Sequence, residues 1–219
     1  MQPFPVPAAP RRPANRVIPP HPLLAAMVML VFIASLYAVE LANVVGFHDT
    51  LERYGVQPRT PSGLIGVLWA PLLHGGWGHL AANTVPVLVF GFLAMAGGIG
   101  QWVAVTVTIW LISGLGVWLT ASPGSITVGA SGLAFGWLAF LLVRGLFNRS
   151  IKQIAVAAVL LFFWGGVLWG VLPGNPMVSW QGHLFGALAG VLAAWLAARA
   201  SRPQLPSGGT SGPMLGPSR

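Results

Sequence analysis

The chain has 219 residues, of which 55% are hydrophobic and only 6% charged, and its mean hydropathy is +0.77. A soluble domain carries about a quarter charged residues, so this composition excludes an ordinary water-soluble globule and places the chain among integral membrane proteins. The net charge of +8 sits in short tails and loops between apolar runs, which reads as membrane orientation rather than nucleic-acid binding, and the absence of cysteine excludes disulfides, thiolate metal sites and a cysteine nucleophile.

In chain order, residues 1–22 are basic and proline-rich and are expected to form a disordered tail. Six apolar runs follow, at 23–45, 79–97, 100–120, 131–147, 151–172 and 180–200. Most approach the ~20 residues that a helix needs to cross a bilayer. Residues 201–219, rich in Pro, Gly and Ser, are expected to form a second disordered tail. Backbone polar groups in lipid must be satisfied internally, which favours helices. The expected fold class is therefore all-α: a polytopic membrane protein whose six helices span 23–200. The first run follows Arg11, Arg12 and Arg16 as in a signal peptide, but it is long and lacks a small-residue cleavage site, so a retained anchor is expected.

The charges orient the bundle. With the N-terminus in the cytoplasm, Arg11, Arg12, Arg16, Arg144, Arg149, Lys152, Arg199, Arg202 and Arg219 all fall inside, and only Arg53 and Arg59 fall outside. This bias predicts cytoplasmic termini, and the compact six-span form fits a prokaryotic plasma membrane. The outer connection 46–78 contains Asp49 and Glu52 and the apolar, Gly-rich stretch LIGVLWAPLLHGGWG. Trp69 and Trp77 predict that it dips into the outer interface.

Polar side chains at membrane depth are costly and point to roles. Four stand out: His79 and Asn83 in the second run, Ser131 opening the fourth, and His183 near the start of the sixth. Alternating topology puts all four in the outer half of the membrane. His79 and Asn83 share a helix face at spacing four. Gly132 and Gly136 on the fourth run, and Gly182, Gly186 and Gly190 on the sixth, form small-xxx-small motifs that let backbones approach closely. Packing through these glycines would bring Ser131 near His183. A serine hydroxyl attacks only once a base takes its proton, and histidine is the usual base. No carboxylate is expected beside His183, so a Ser-His dyad is the arrangement the sequence permits. The N-terminus of the fourth helix, with His79 and Asn83, supplies donors for an oxyanion.

Each residue alone has a plainer reading. Ser131 is a common type of packing residue in membrane helices, and His79 and Asn83 can cross-link helices. His183 can line a pore or relay protons. His74, His79 and His183 together can be read as a histidine-only metal site.

Taken together, these segments resemble the rhomboid family of intramembrane serine proteases. The matching text is HGGWGHLAAN at 74–83, GASG at 129–132 and GHLFGALAG at 182–190. The resemblance covers roughly residues 23–200. It implies a six-helix rhomboid-like bundle with Ser131 as nucleophile and His183 as general base. His79 and Asn83, with the Ser131 amide, would form the oxyanion hole, and His74 would seat the first outer loop. It also implies that the substrates are transmembrane-helix proteins cut near their outer ends in membrane lipid, with no metal or cofactor. The family's Trp-Arg pair is Ile65-Gly66 here, a common glutamate is Met95, and a common tyrosine is Phe135. The segment 170–180, with two prolines and two glycines, is expected to be a mobile loop over the site. Two other readings use the same residues: a non-catalytic member that binds transmembrane clients, and a small transporter with these groups lining its pathway.

Overall fold

The computed structural model describes residues 15–175 and 177–201. Among them are seven α-helices: α1 (Pro22–Gly46), α2 (Pro61–Trp69), α3 (Trp77–Ala94), α4 (Ile99–Thr120), α5 (Ser131–Asn148), α6 (Ile151–Trp164) and α7 (Trp180–Ala200). All except α2 belong to segments long and apolar enough to cross a membrane, so the expected polytopic helical bundle is the observed one. The expected tails, 1–22 and 201–219, fall largely outside the described residues. Near the start of the described residues, the Arg16 carbonyl accepts hydrogen bonds from Arg144 Nη2 and Gln153 Nε2.

The bundle is built around α5, which packs against α3, α4, α6 and α7. Every residue of α5 from Leu133 to Leu141 is buried, as expected for a helix stretch that is apolar all round. Trp137 at its centre is fully buried. Its indole donates to Thr106 Oγ1 at 3.1 Å and stacks on Trp102 at 6.0 Å between centroids, so the one polar atom of this large side chain is satisfied at depth. The outer helices do the reverse: Ile151 is 82% and Phe162 83% exposed. Such surfaces suit lipid and would aggregate in water.

The backbones of α5 and α7 approach closely. A Cβ on Gly186 would overlap the Gly132 carbonyl, and one on Gly190 would overlap the Gly136 carbonyl. These glycines set the distance between the two helices, and no other residue type fits there.

One expectation changes. The fifth run is not one helix: α6 ends at Trp164, and Gly165–Val171 continues as a tighter 3-10 segment. Gly165 and Gly166 follow directly, and glycine is the poorest helix former after proline. The outer connection carries a short helix of its own, α2. Thr60 caps α2 by accepting from the Gly63 amide at 3.0 Å, with Pro61 at the first helical position. Trp110 donates to the Val67 carbonyl and Trp118 to the Thr60 carbonyl. Arg59 donates to the carbonyls of Leu119 and Ala121 at the end of α4, where a cation is favoured. Gly66 lies against the backbone of Gly55, leaving no room for a side chain.

Candidate active site

Ser131 is the first residue of α5, so its amide is one of the helix's N-terminal donors without an intrahelical partner. The turn that delivers it is clamped from three sides. The Gly129 amide donates to the Ala70 carbonyl at 2.8 Å, and the Ala130 amide to His74 Nε2 at 3.4 Å. Gly129 has φ 118 and faces the His79 ring, where a side chain would collide. Only glycine meets both conditions.

His183 enters from the first turn of α7. Ser179 caps that helix by accepting from the Gly182 amide. The Gly182 carbonyl in turn accepts from Ser113 Oγ of α4 at 2.8 Å. With α7 held in this way, His183 Nε2 lies 2.9 Å from Ser131 Oγ. Its other nitrogen, Nδ1, lies 3.0 Å from the Gly170 carbonyl. A carbonyl can only accept, so Nδ1 carries the proton and the neutral ring presents Nε2 as an acceptor to the serine hydroxyl. Phe135, one turn beyond Ser131, stacks on the imidazole with centroids 3.9 Å apart.

A cavity of about 270 Å³ opens beside this pair, lined by His79, Asn83, Ser131, Phe135, Met177 and His183 among others. His79 Nδ1 accepts from the Gly75 amide at 3.3 Å, which leaves Nε2–H as the donor of the neutral ring. Asn83 Nδ2 donates one hydrogen to the His79 carbonyl at 3.1 Å and has a second. The four polar residues singled out in the sequence therefore share one cavity. His74 lies just outside the spans, 1% exposed, with its ring edge-to-face on His79 at 5.2 Å. Burial, with the neighbouring His79 adding to it, pushes its imidazole down to about 4. A neutral ring is what the acceptor role toward Ala130 requires. Among the described residues no three histidine or acid side chains are arranged to hold a metal ion.

Two participants were not foreseen. The Gly170 carbonyl occupies the place where a carboxylate would orient the imidazole, and Ser113 secures the backbone beside His183. A carbonyl has no side-chain signature, although glycine at 170 is itself a trace of it: a Cβ there would lie 3.0 Å from both His183 Nδ1 and Phe135 Cζ. Gly170, at the start of the segment expected to be a mobile loop, belongs to the 3-10 segment Gly165–Val171 and contributes its carbonyl to the site.

Comparison with known proteins follows the same lines. The Rhomboid domain family model matches residues 61–200. An uncharacterized protein of Mycobacterium tuberculosis is 46% identical over 196 residues, covering 85% of this chain and 81% of that protein. Rhomboid-like protein 11 of Arabidopsis thaliana, a chloroplast protein, is 30% identical over 146 residues, 58% of this chain and 50% of its own. The putative rhomboid protease YdcA of Bacillus subtilis is 28% identical over 163 residues, 73% of this chain and 80% of its own. The chain belongs to the rhomboid family.

Proposed function

We propose that this rhomboid-family protein is an intramembrane serine endopeptidase that cuts transmembrane-helix substrates near the outer membrane face. The observation that most supports the reading is the 2.9 Å contact between Ser131 Oγ and His183 Nε2, with Nδ1 held by the Gly170 carbonyl. Burial of His183, with Ser131 half-buried beside a cavity, adds to it.

Ser131 Oγ attacks the scissile carbonyl carbon as its proton passes to His183 Nε2. The tetrahedral oxyanion is held by the Ser131 amide, His79 Nε2–H and Asn83 Nδ2–H. The imidazolium keeps its Nδ1–H on the Gly170 carbonyl and its face on Phe135, in place of the acid of a triad. Collapse expels the amine, which takes the proton from Nε2. A water molecule then attacks the acyl ester, giving its proton to the same nitrogen, and releases the new carboxyl end with Ser131 restored. A regular helix hides its carbonyls in hydrogen bonds, so the substrate must unwind locally. Weak helix formers at the cut site ease this step.

Orientation follows from charge. Both termini lie in the cytoplasm and the site faces outward, in a prokaryotic plasma membrane. The test is cleavage of a single-span substrate by the protein reconstituted in liposomes. Two defined fragments are expected with the wild type and none with Ser131→Ala. Equal cleavage by both would overturn the reading.

A further inference from the structure

At the opposite end of α5, about 20 Å along the helix from Ser131, stands a cation without a counter-charge. Arg144 is 5% exposed. Its Nη2 donates to the Arg16 carbonyl, its guanidinium lies 5.6 Å from the Phe140 ring centroid, and its Nη1 is buried with no hydrogen-bond partner among the described residues. The full sequence has three acidic side chains, Glu40, Asp49 and Glu52. All three lie at or beyond the far end of α1, toward the Ser131 side. Hence no acidic side chain of this chain can neutralise Arg144, and a buried charge that is not paired is expensive.

A small cavity of about 20 Å³ lies against it, lined by Arg144, Gln101, Asn148 and Ser201 together with apolar residues. That is room for about one oxygen-sized atom. Gln101, Asn148 and Ser201 are half-buried and form the rim, while Arg144 forms the buried wall. None of the polar side chains in the lining is acidic; Gln101 Nε2 and one Asn148 Nδ2–H can donate, while the other Asn148 hydrogen goes to Gln153 Oε1 and the Ser201 hydroxyl proton to the Ala197 carbonyl, each at 2.9 Å. Arg149, Lys152 and Arg199 lie at the same end of the bundle, adding a field that attracts anions.

We propose that this cavity is an anion site that takes one oxygen of a phosphate-type group, with Arg144 as its counter-charge. The group belongs either to an anionic lipid headgroup lying at this membrane face or to a free oxyanion. The site is separate from the Ser131–His183 cavity and does not depend on its chemistry.

The experiment uses the full chain, delipidated in an uncharged detergent, and reads Tm at constant ionic strength set with sodium chloride. The titrants are short-chain phosphatidylglycerol, short-chain phosphatidylcholine and inorganic phosphate. The expected result is a saturable rise in Tm with phosphatidylglycerol, a much smaller one with phosphatidylcholine, and at least tenfold weaker apparent affinity in Arg144→Gln. A rise with phosphatidylglycerol alone assigns the group to lipid, and an equal rise with inorganic phosphate assigns it to a free oxyanion. Gln101→Leu keeps the arginine but removes a rim donor, and it is expected to weaken the response even if Arg144→Gln does not fold. No response to either anion, or undiminished responses in the variants, would overturn the proposal. Arg144 would then be answered by the Arg16 carbonyl and the helix C-termini alone.

Discussion

The Phe135 ring lies almost flat on the His183 imidazole, with centroids 3.9 Å apart and planes 8° from parallel. The stack fixes the ring plane while the Gly170 carbonyl fixes its rotation, so Nε2 is aimed at Ser131 without a carboxylate. Phe135→Leu should keep the volume roughly but lose the flat contact, lowering kcat about tenfold with KM little changed. Phe135→Tyr keeps the ring and should stay within about threefold of wild type. Initial rates on a transmembrane peptide in detergent measure both.

Gly170→Ala should act on the same histidine from the other side. The added methyl would lie 3.0 Å from Nδ1 and from the Phe135 ring, and one of them must shift. A displaced imidazole should lower kcat by about 10- to 100-fold, while Tm changes by only a few degrees. Gly174→Ala, where nothing lies within 4 Å, is the control and should leave both quantities unchanged.

Asn83→Ala and His79→Ala remove the two side-chain donors that face the cavity with Ser131. Loss of one oxyanion donor typically costs about 10²–10³ in kcat. Asn83→Ala should fall in that range with KM nearly constant. His79→Ala should lose as much and also some stability, because its Nδ1 holds the Gly75 amide. A rise in KM at constant kcat would assign both residues to substrate binding instead.

His74 ties stability to pH. Its imidazole is pushed down to about 4, below its ordinary 6.5, so the folded state binds fewer protons than the unfolded state between those values. Stability from this group is therefore complete above pH 6.5 and is lost as pH falls toward 4. The full contribution is up to about 3 kcal/mol. Tm should drop between pH 7 and pH 5 in the wild type, and His74→Gln should show a shallower drop from a lower starting value.

Much of this architecture is legible in the sequence, because lipid demands long apolar runs and penalises stray polar groups. The ends of α5 and α7 fall within a residue or so of the runs beginning at Ser131 and Trp180, and the glycines on those runs do set the helix spacing. Helix α2 was less visible, since nine residues are too few to form a clear apolar period, although Thr60-Pro61 is a start signal. The 3-10 turn at Gly165–Val171 is hidden because hydropathy does not distinguish helix types. The Gly170 carbonyl and the Arg59 clamp on α4 are hidden for a different reason. Both are backbone partnerships between distant segments, and residue type alone does not encode them.

The central claim is that Ser131 is a nucleophile activated by His183. Labelling of the purified protein by a fluorophosphonate probe tests it most directly, run beside Ser131→Ala and His183→Ala with folding checked for each. The wild type should be labelled, and the label should disappear in both variants. A folded wild type that takes no label, or a Ser131→Ala variant labelled as strongly as the wild type, would contradict it.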